Sequence, residues 1–420
     1  MRLRTLTLEN FRGFKSLKLT FEPEVTVLVG INGSGKSTIL DALAVALSQL
    51  ATGIRTSPGR GRRFSDADVH KGAPHTRVTL TTEVMGKELE WSIAHVRTGY
   101  PREVSSHLSE LREVIDRIQA SIRDGEAVHL PLAVYYPVNR AVLDIPKRIR
   151  ERHSFSSLSA YDEALVGGEG NFRRFFEWFR EREDLENENK VRRNQPTLFT
   201  DPQLNAVRKA IERFMPDFRD LRIERAPQRM LVSKRGETFA VEQLSDGEKC
   251  MLALVGDLAR RLVLANEGSS SPLDEPAVVL IDEIDLHLHP GWQRDVVGRL
   301  RETFPKTQFV LTTHSPQVLS TVPARCVRLL ENFEVCDAPA ETEGGDSNAI
   351  LADVMGVSER PAWVEELIGS ISRCIDDDDL DGAKRYLAEL EGKRSHRDAE
   401  FVRLSALVRF LEGASNARDS

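Results

Sequence analysis

Gly30-Ile31-Asn32-Gly33-Ser34-Gly35-Lys36-Ser37 satisfies G-x-x-x-x-G-K-[ST] at every fixed position. The apolar run Val25 to Val29 precedes it and reads as a buried strand. Ser37 to Leu50 follows with a helical pattern. A glycine-rich turn between a strand and a helix is built to hold phosphate. Glycine lets backbone N–H groups wrap the anion, and the helix N-terminus adds its own unpaired donors. Lys36 is expected to reach the β- and γ-phosphates, and Ser37 to place its hydroxyl on Mg²⁺. The expected nucleotide contacts are Asn32, Gly33, Gly35, Lys36, Ser37 and Thr38. ATP is expected rather than GTP. No guanine-reading NKxD element is apparent, and Asn189-Lys190 continues as Val191-Arg192.

Downstream, Val278-Val279-Leu280-Ile281 is an apolar strand that ends in Asp282-Glu283. Asp282 is expected to hold Mg²⁺, directly or through water, and Glu283 to orient and deprotonate the attacking water. Leu244-Ser245-Asp246-Gly247-Glu248 opens a helix before that strand, a second small-residue turn suited to phosphate.

Working outward, residues 1–30 and 76–97 alternate as strands, and 104–124 repeats apolar residues at helical spacing. Leu132 to Tyr136 is strand-like. Residues 140–225 read as charged and mostly helical, with Phe172, Phe175, Phe176 and Phe179 on one face. Glu181 to Gln195 is polar and expected to be exposed or mobile. A helix is expected over 238–266, a strand over 277–281, a helix over 292–304 and a strand over 309–312. From Asp346 to Gly413 the pattern gives short helices, one starting at Asp376 to Asp379. These segments divide into a head lobe with the phosphate loop at 1–100 and a mostly helical insertion at 101–235. A second head lobe follows at 236–340, then a helical partner or oligomer region at 341–420.

Composition is that of an ordinary folded protein: 420 residues, 40% hydrophobic and 29% charged. Lys plus Arg number 58 against 65 Asp plus Glu, for a net charge of −7. The four cysteines form no CxxC pair, so neither a zinc ribbon nor a disulfide scaffold is indicated. No apolar run is expected to approach the roughly 18 residues a membrane helix needs and the N-terminus lacks a signal pattern, so a cytoplasmic setting without membrane contact is expected.

The phosphate loop, the LSDGE segment, the LIDE strand end and Thr312-Thr313-His314-Ser315 occur in the order of an ABC-type ATPase head. Glu9-Asn10-Phe11-Arg12-Gly13-Phe14 resembles the start of the SMC, RecF and overcoming-lysogenization-defect branch. The resemblance implies an α/β fold: an SMC/RecF-like P-loop ATPase head with a helical insertion and a C-terminal helical region. It also implies that LSDGE acts as a signature motif, with Ser245, Gly247 and Glu248 serving ATP held by a second copy. ATP would then bind two heads into a homodimer. His314 resembles the switch histidine that senses the γ-phosphate, and Arg12 the N-terminal arginine that contacts nucleotide in Rad50-like heads. Asp285-Leu286-His287-Leu288-His289-Pro290 falls where such heads carry the D-loop, so zinc binding is not expected there. Asp66, Asp68 and Asn139 are candidates for the family's lid position.

Further similarity lies in Pro131 to Arg140, Ala141-Val142-Leu143-Asp144, Asp346 to Leu351 and Met355 to Pro361. These stretches look like the ATPase subunit PtuA of Septu antiphage systems, or the similar subunit of some retrons. That family pairs the ATPase, as a dimer or larger particle, with a separate HNH nuclease, PtuB. The span from Lys36 to Leu244 is too short for long coiled-coil arms, and the stretch after Asp346 is too short for a TOPRIM nuclease. The chain is therefore expected to be a slow ATPase, not itself a nuclease, that controls an HNH partner. The alternative is a RecF-like repair clamp binding DNA directly, through basic stretches at Arg55 to Arg77 or Arg208 to Arg235.

Overall fold

The computed structural model describes residues 1–56, 59–126, 128–138, 155–166, 170–192, 200–358, 360–393 and 399–416. Asn139 and the stretch 141–144 lie outside the described residues. Two compact units are present, 1–350 and 351–420.

The first unit begins with the hairpin β1 (Arg2–Phe11) and β2 (Phe14–Thr20). Next come β3 (Val25–Gly30) and α1 (Lys36–Arg55), then a second hairpin, β4 (His75–Val84) and β5 (Lys87–Val96). The two hairpins join as an antiparallel sheet in the order β2-β1-β4-β5. Leu6 and Leu8 alternate onto its buried face, and a bulge between Leu3 and Thr5 brings Leu3 to the same side. After α2 (Ser109–Arg123) and β6 (Leu132–Tyr136), the chain forms α3 (Gly170–Arg192) and α4 (Pro202–Phe214).

Residues 218–240 correct the expectation of helix. They form a three-stranded antiparallel sheet: β7 (Phe218–Arg225), β8 (Gln228–Lys234) and β9 (Glu237–Ala240). Buried Leu221 and Ile223 alternate with Asp220, Arg222 and Glu224, and a bulge between Arg219 and Arg222 breaks the period that would have announced a strand. The next helix, α5 (Asp246–Ala265), accordingly starts later than 238. Glu181 to Arg192 is likewise not a free polar stretch. Glu183 and Glu186 are buried in α3, where they accept from Arg208 and Arg225.

The main sheet is completed by β10 (Ala277–Ile281), α6 (Pro290–Thr303), β11 (Thr307–Thr312), α7 (Pro316–Leu319), β12 (Val327–Glu331) and β13 (Glu334–Asp337). Its order is β13-β12-β3-β11-β10-β6, parallel throughout except for β13 at the edge. Every residue of β3, β6, β10 and β11 is buried, which explains their continuous apolar runs. Parallel pairing brings the C-terminal ends of β3, β10 and β11 side by side, where a doubly wound sheet places ligands.

α1 corrects a second expectation. It is a helix of 20 residues, long and apolar enough to cross a membrane, but most of it is buried inside the protein. Burying each large aliphatic side chain contributes about 1.5–3 kcal/mol, so α1 is a core helix. α5 is also buried, yet it carries charge into the core. Asp257 accepts from Arg260 at 2.7 Å, from Arg261 at 2.7 Å and from the Tyr136 hydroxyl at 2.9 Å, all at 0–1% exposure. Arg261 also donates to the carbonyls of Ala160 and Asp162, tying α5 to the chain that follows β6.

After α8 (Ser347–Asp353), the second unit comprises α9 (Ala362–Asp376), α10 (Leu380–Lys393) and α11 (Ala399–Asn416). Its core is Val364, Leu367, Ile371, Ala383, Leu387, Leu390, Phe401, Leu404 and Val408. Asp379 accepts from the Gly382 N–H at 2.9 Å at the start of α10, as the acidic run predicts.

Candidate nucleotide site

The phosphate loop leaves β3 at Gly30 and enters α1 at Lys36. Gly35 has φ +105°, and a Cβ there would lie 2.5 Å from the Phe14 ring, so only glycine fits. Lys36 is buried, and its ammonium donates to the Gly30 and Ile31 carbonyls at 2.9 and 3.0 Å. Burial lowers its pKa, against the opposing field of Asp282, Glu283 and Asp285. The Ser34 hydroxyl is buried in the same loop with no hydrogen-bond partner. An orphaned donor beside a buried ammonium fits an anion as the missing partner.

Opposite the loop, the Thr312 hydroxyl donates to Asp282 Oδ1 and accepts from the Glu283 N–H at 2.7 Å. Glu283 itself sits at φ +48°, a left-handed position at the strand end. Strain of this kind concentrates at functional sites. Asp285 accepts from the Thr313 hydroxyl at 2.6 Å and from the His314 N–H at 3.4 Å. Gln293 on α6 donates to the carbonyls of Asp285 and Leu288 and accepts from Ser315. The turn after Glu283 is therefore clamped to both α6 and the segment carrying His314. Burial, followed by the charge of Lys36, lowers the His314 pKa and keeps the ring neutral at pH 7. Lys36, Asp282, Glu283, Asp285 and His314 thus share one electrostatic neighbourhood.

Ser245 caps α5 as half of a capping box. Its hydroxyl and N–H both donate to Glu248 Oε2, at 2.9 and 3.1 Å, and Glu248 Oε1 pairs with Lys234 at 2.6 Å. Burial pushes the Glu248 carboxyl up, but Lys234 and the Ser245 donors bring it below the usual range. Gly247 packs on the turn after Glu283: a Cβ there would lie 2.5 Å from the His287 carbonyl. His289 caps α6, accepting from the Gly291 N–H, and no cluster of three or more metal-ligating side chains occurs among the described residues.

Arg12 is paired with two carboxylates at the β1–β2 turn. It donates to Asp41 at 2.8 Å and to Asp68 at 2.9 Å, which joins the β1–β2 turn to α1. Burial disfavours its charge, but the two carboxylates outweigh that and raise its pKa. Asp66, another lid candidate, accepts from His95 at 2.8 Å. Sequence reasoning gave Asp41 and Gln293 no role and quoted Thr312 only as the start of the segment carrying His314. Their types are ordinary, and only the register of β10 against β11 brings Thr312 to Asp282. Five arginines of the basic stretch from Arg208 to Arg235 pair with acids of the same chain. Arg208, Arg222, Arg225, Arg229 and Arg235 pair with Glu183, Asp220, Asp184, Glu224 and Asp217 respectively.

A parallel sheet with a glycine-rich phosphate loop on one strand and a paired Asp-Glu on another defines a P-loop ATPase-type α/β domain. Residues 25–320 match the family described as "AAA domain, putative AbiEii toxin, Type IV TA system". The chain is 33% identical to the Retron Ec83 probable ATPase of Escherichia coli, over 86% of this chain and 77% of that one. It is 32% identical to the Retron Vc95 probable ATPase of Vibrio cholerae, over 89% and 82% of the two chains. The Septu protein PtuA of Bacillus thuringiensis is 24% identical over 87% of each. The chain belongs to this AAA-domain ATPase family, together with the retron ATPases.

Proposed function

We propose that the chain is an ATP-hydrolysing, dimerising switch that acts as the regulatory subunit of an antiphage defence complex and controls a separate HNH nuclease. The observation that carries the ATP-hydrolysing part is the gathering of Lys36, Asp282, Glu283 and His314 into one electrostatic neighbourhood, and the defence role is supported by the similarity to the retron ATPases and PtuA. ATP is the substrate. The orphaned Ser34 hydroxyl and the buried Lys36 suit its phosphates. The Ser37 hydroxyl and the Asp282 carboxylate are hard oxygen donors that suit Mg²⁺ and would hold it, where it would neutralise phosphate charge. Glu283 takes the proton of the attacking water, and neutral His314 reads the γ-phosphate. Ser245 and Gly247 serve ATP bound by a second copy, and Glu248 holds Ser245 in place. Two heads closing on two ATP molecules bias the partner, because the γ-phosphate makes contacts in only one of the two states.

The helical region 341–420 takes the partner or oligomer role. In support, residues 351–420 have a core of their own, and Trp363, Tyr386, Val402 and Phe410 remain exposed. A cytoplasmic location goes with this reading. The pairing of five arginines between Arg208 and Arg235 with acids weighs against a direct DNA clamp through that stretch. Two assays test the proposal: phosphate release from ATP by the purified protein, and its mass in solution with and without ATP. Wild type should hydrolyse ATP and dimerise with it, and Lys36→Ala should do neither. A wild type that neither hydrolyses ATP nor changes mass would overturn the reading.

A further inference from the structure

Asn332 and Phe333 form the two-residue turn between β12 and β13, with φ +48° and +62°. Both values are those of a type I′ hairpin, whose second position strongly favours glycine. Phenylalanine there is a strained choice, and the ring is also 37% exposed. Neither stability nor solubility selects it, so its use lies in what the ring touches. One side is occupied: a Cβ on Gly13 would lie 2.1 Å from the ring, and Phe14 meets it edge-on at 5.3 Å between centroids. Its edge reaches the phosphate loop, where a Cβ on Gly35 would lie 3.3 Å away. Phe333 and Tyr100 are the exposed large aromatics among the described residues of 1–350, and Phe333 is the one that touches the loop.

Resting on the phosphate-loop reading above, we infer that Phe333 is the platform on which the purine base of the bound nucleotide stacks. With the triphosphate in the loop, ribose and base must extend past the start of α1. There the ring presents an apolar face held rigid by Gly13 and Phe14. Stacking is blind to the substituents of the base, so Phe333 contributes affinity for a purine without choosing adenine over guanine.

The test measures binding of ATP, GTP and inorganic tripolyphosphate to wild type, Phe333→Leu and Phe333→Trp by calorimetry. Leucine keeps an apolar contact on Gly13 but cannot stack. It should weaken ATP and GTP by about 10-fold each and leave tripolyphosphate within about twofold. Tryptophan should keep ATP affinity near wild type. If Phe333→Leu weakens tripolyphosphate as much as ATP, the ring merely props the loop and the inference fails. Unchanged ATP affinity in Phe333→Leu overturns it as well. A wild type that binds neither ATP nor tripolyphosphate overturns the phosphate-loop reading itself.

Discussion

The Thr312 hydroxyl donates to Asp282 at 2.5 Å while it accepts from the Glu283 N–H, so one side chain of β11 positions both acids at the end of β10. Thr312→Val keeps the shape and removes both bonds. Phosphate release should fall by about 10-fold, with ATP affinity within about twofold and stability lowered by about 1–2 kcal/mol. Thr312→Ser should restore turnover. Steady-state phosphate assays alongside urea unfolding separate the two effects. Full turnover in Thr312→Val would show that the acids hold their geometry without it.

In the proposed function Glu283 takes a proton from water, and its left-handed backbone is held by the same threonine. Glu283→Gln should bind ATP normally, lose at least about 100-fold in turnover and accumulate the ATP-bound dimer, read by light scattering after gel filtration. Unchanged turnover would remove the assigned role.

The ring of His314 resists protonation because it is half-buried and feels the charge of Lys36, with Asp285, Glu283 and Asp282 opposing more weakly. Its folded pKa lies below the ordinary 6.5. Between those two values the unfolded chain binds more protons, so falling pH costs stability there. Activity should hold through pH 6.5 and decline only below it, and His314→Gln should lose that acid limb. A limb that persists unchanged in His314→Gln would assign it to another group.

Much of the site was legible in the sequence because its chemistry is local. Gly30 to Ser37 and Ile281 to Glu283 are contiguous segments whose residue types already state their use. The main parallel sheet was legible for a similar reason: strands buried on both faces are written as unbroken apolar runs. The strands at 218–240 were hidden because one face is charged and a bulge shifts the period. The Arg12–Asp41 pair and the Phe333 contact with Gly13 join residues distant in sequence, and no pattern within either segment announces them. The burial of Asp257, Arg260 and Arg261 in α5 is of the same kind: a helical pattern does not tell a charge paired in the core from one facing solvent.

That buried cluster supports the last prediction. Desolvation pushes the Asp257 carboxyl up, but Arg261 and Arg260 outweigh it and hold its pKa below 3.8. Its stabilisation is therefore fully present above pH 3.8 and is lost as pH falls through the lower folded value. Asp257→Asn strands two buried guanidinium groups and should cost about 3–5 kcal/mol in urea unfolding at pH 7. The gap to wild type should close on acidification below pH 3.8. Because that loss is a large share of a domain's usual stability, the arginines provide milder tests. Arg261 also donates to the carbonyls of Ala160 and Asp162, whereas Arg260 is bonded to Asp257. Arg261→Met should therefore cost more than Arg260→Met. Equal losses would show that the carbonyl bonds of Arg261 add nothing to its pairing with Asp257, and a gap that stays constant into acid would show that the cluster is not held together by the Asp257 charge.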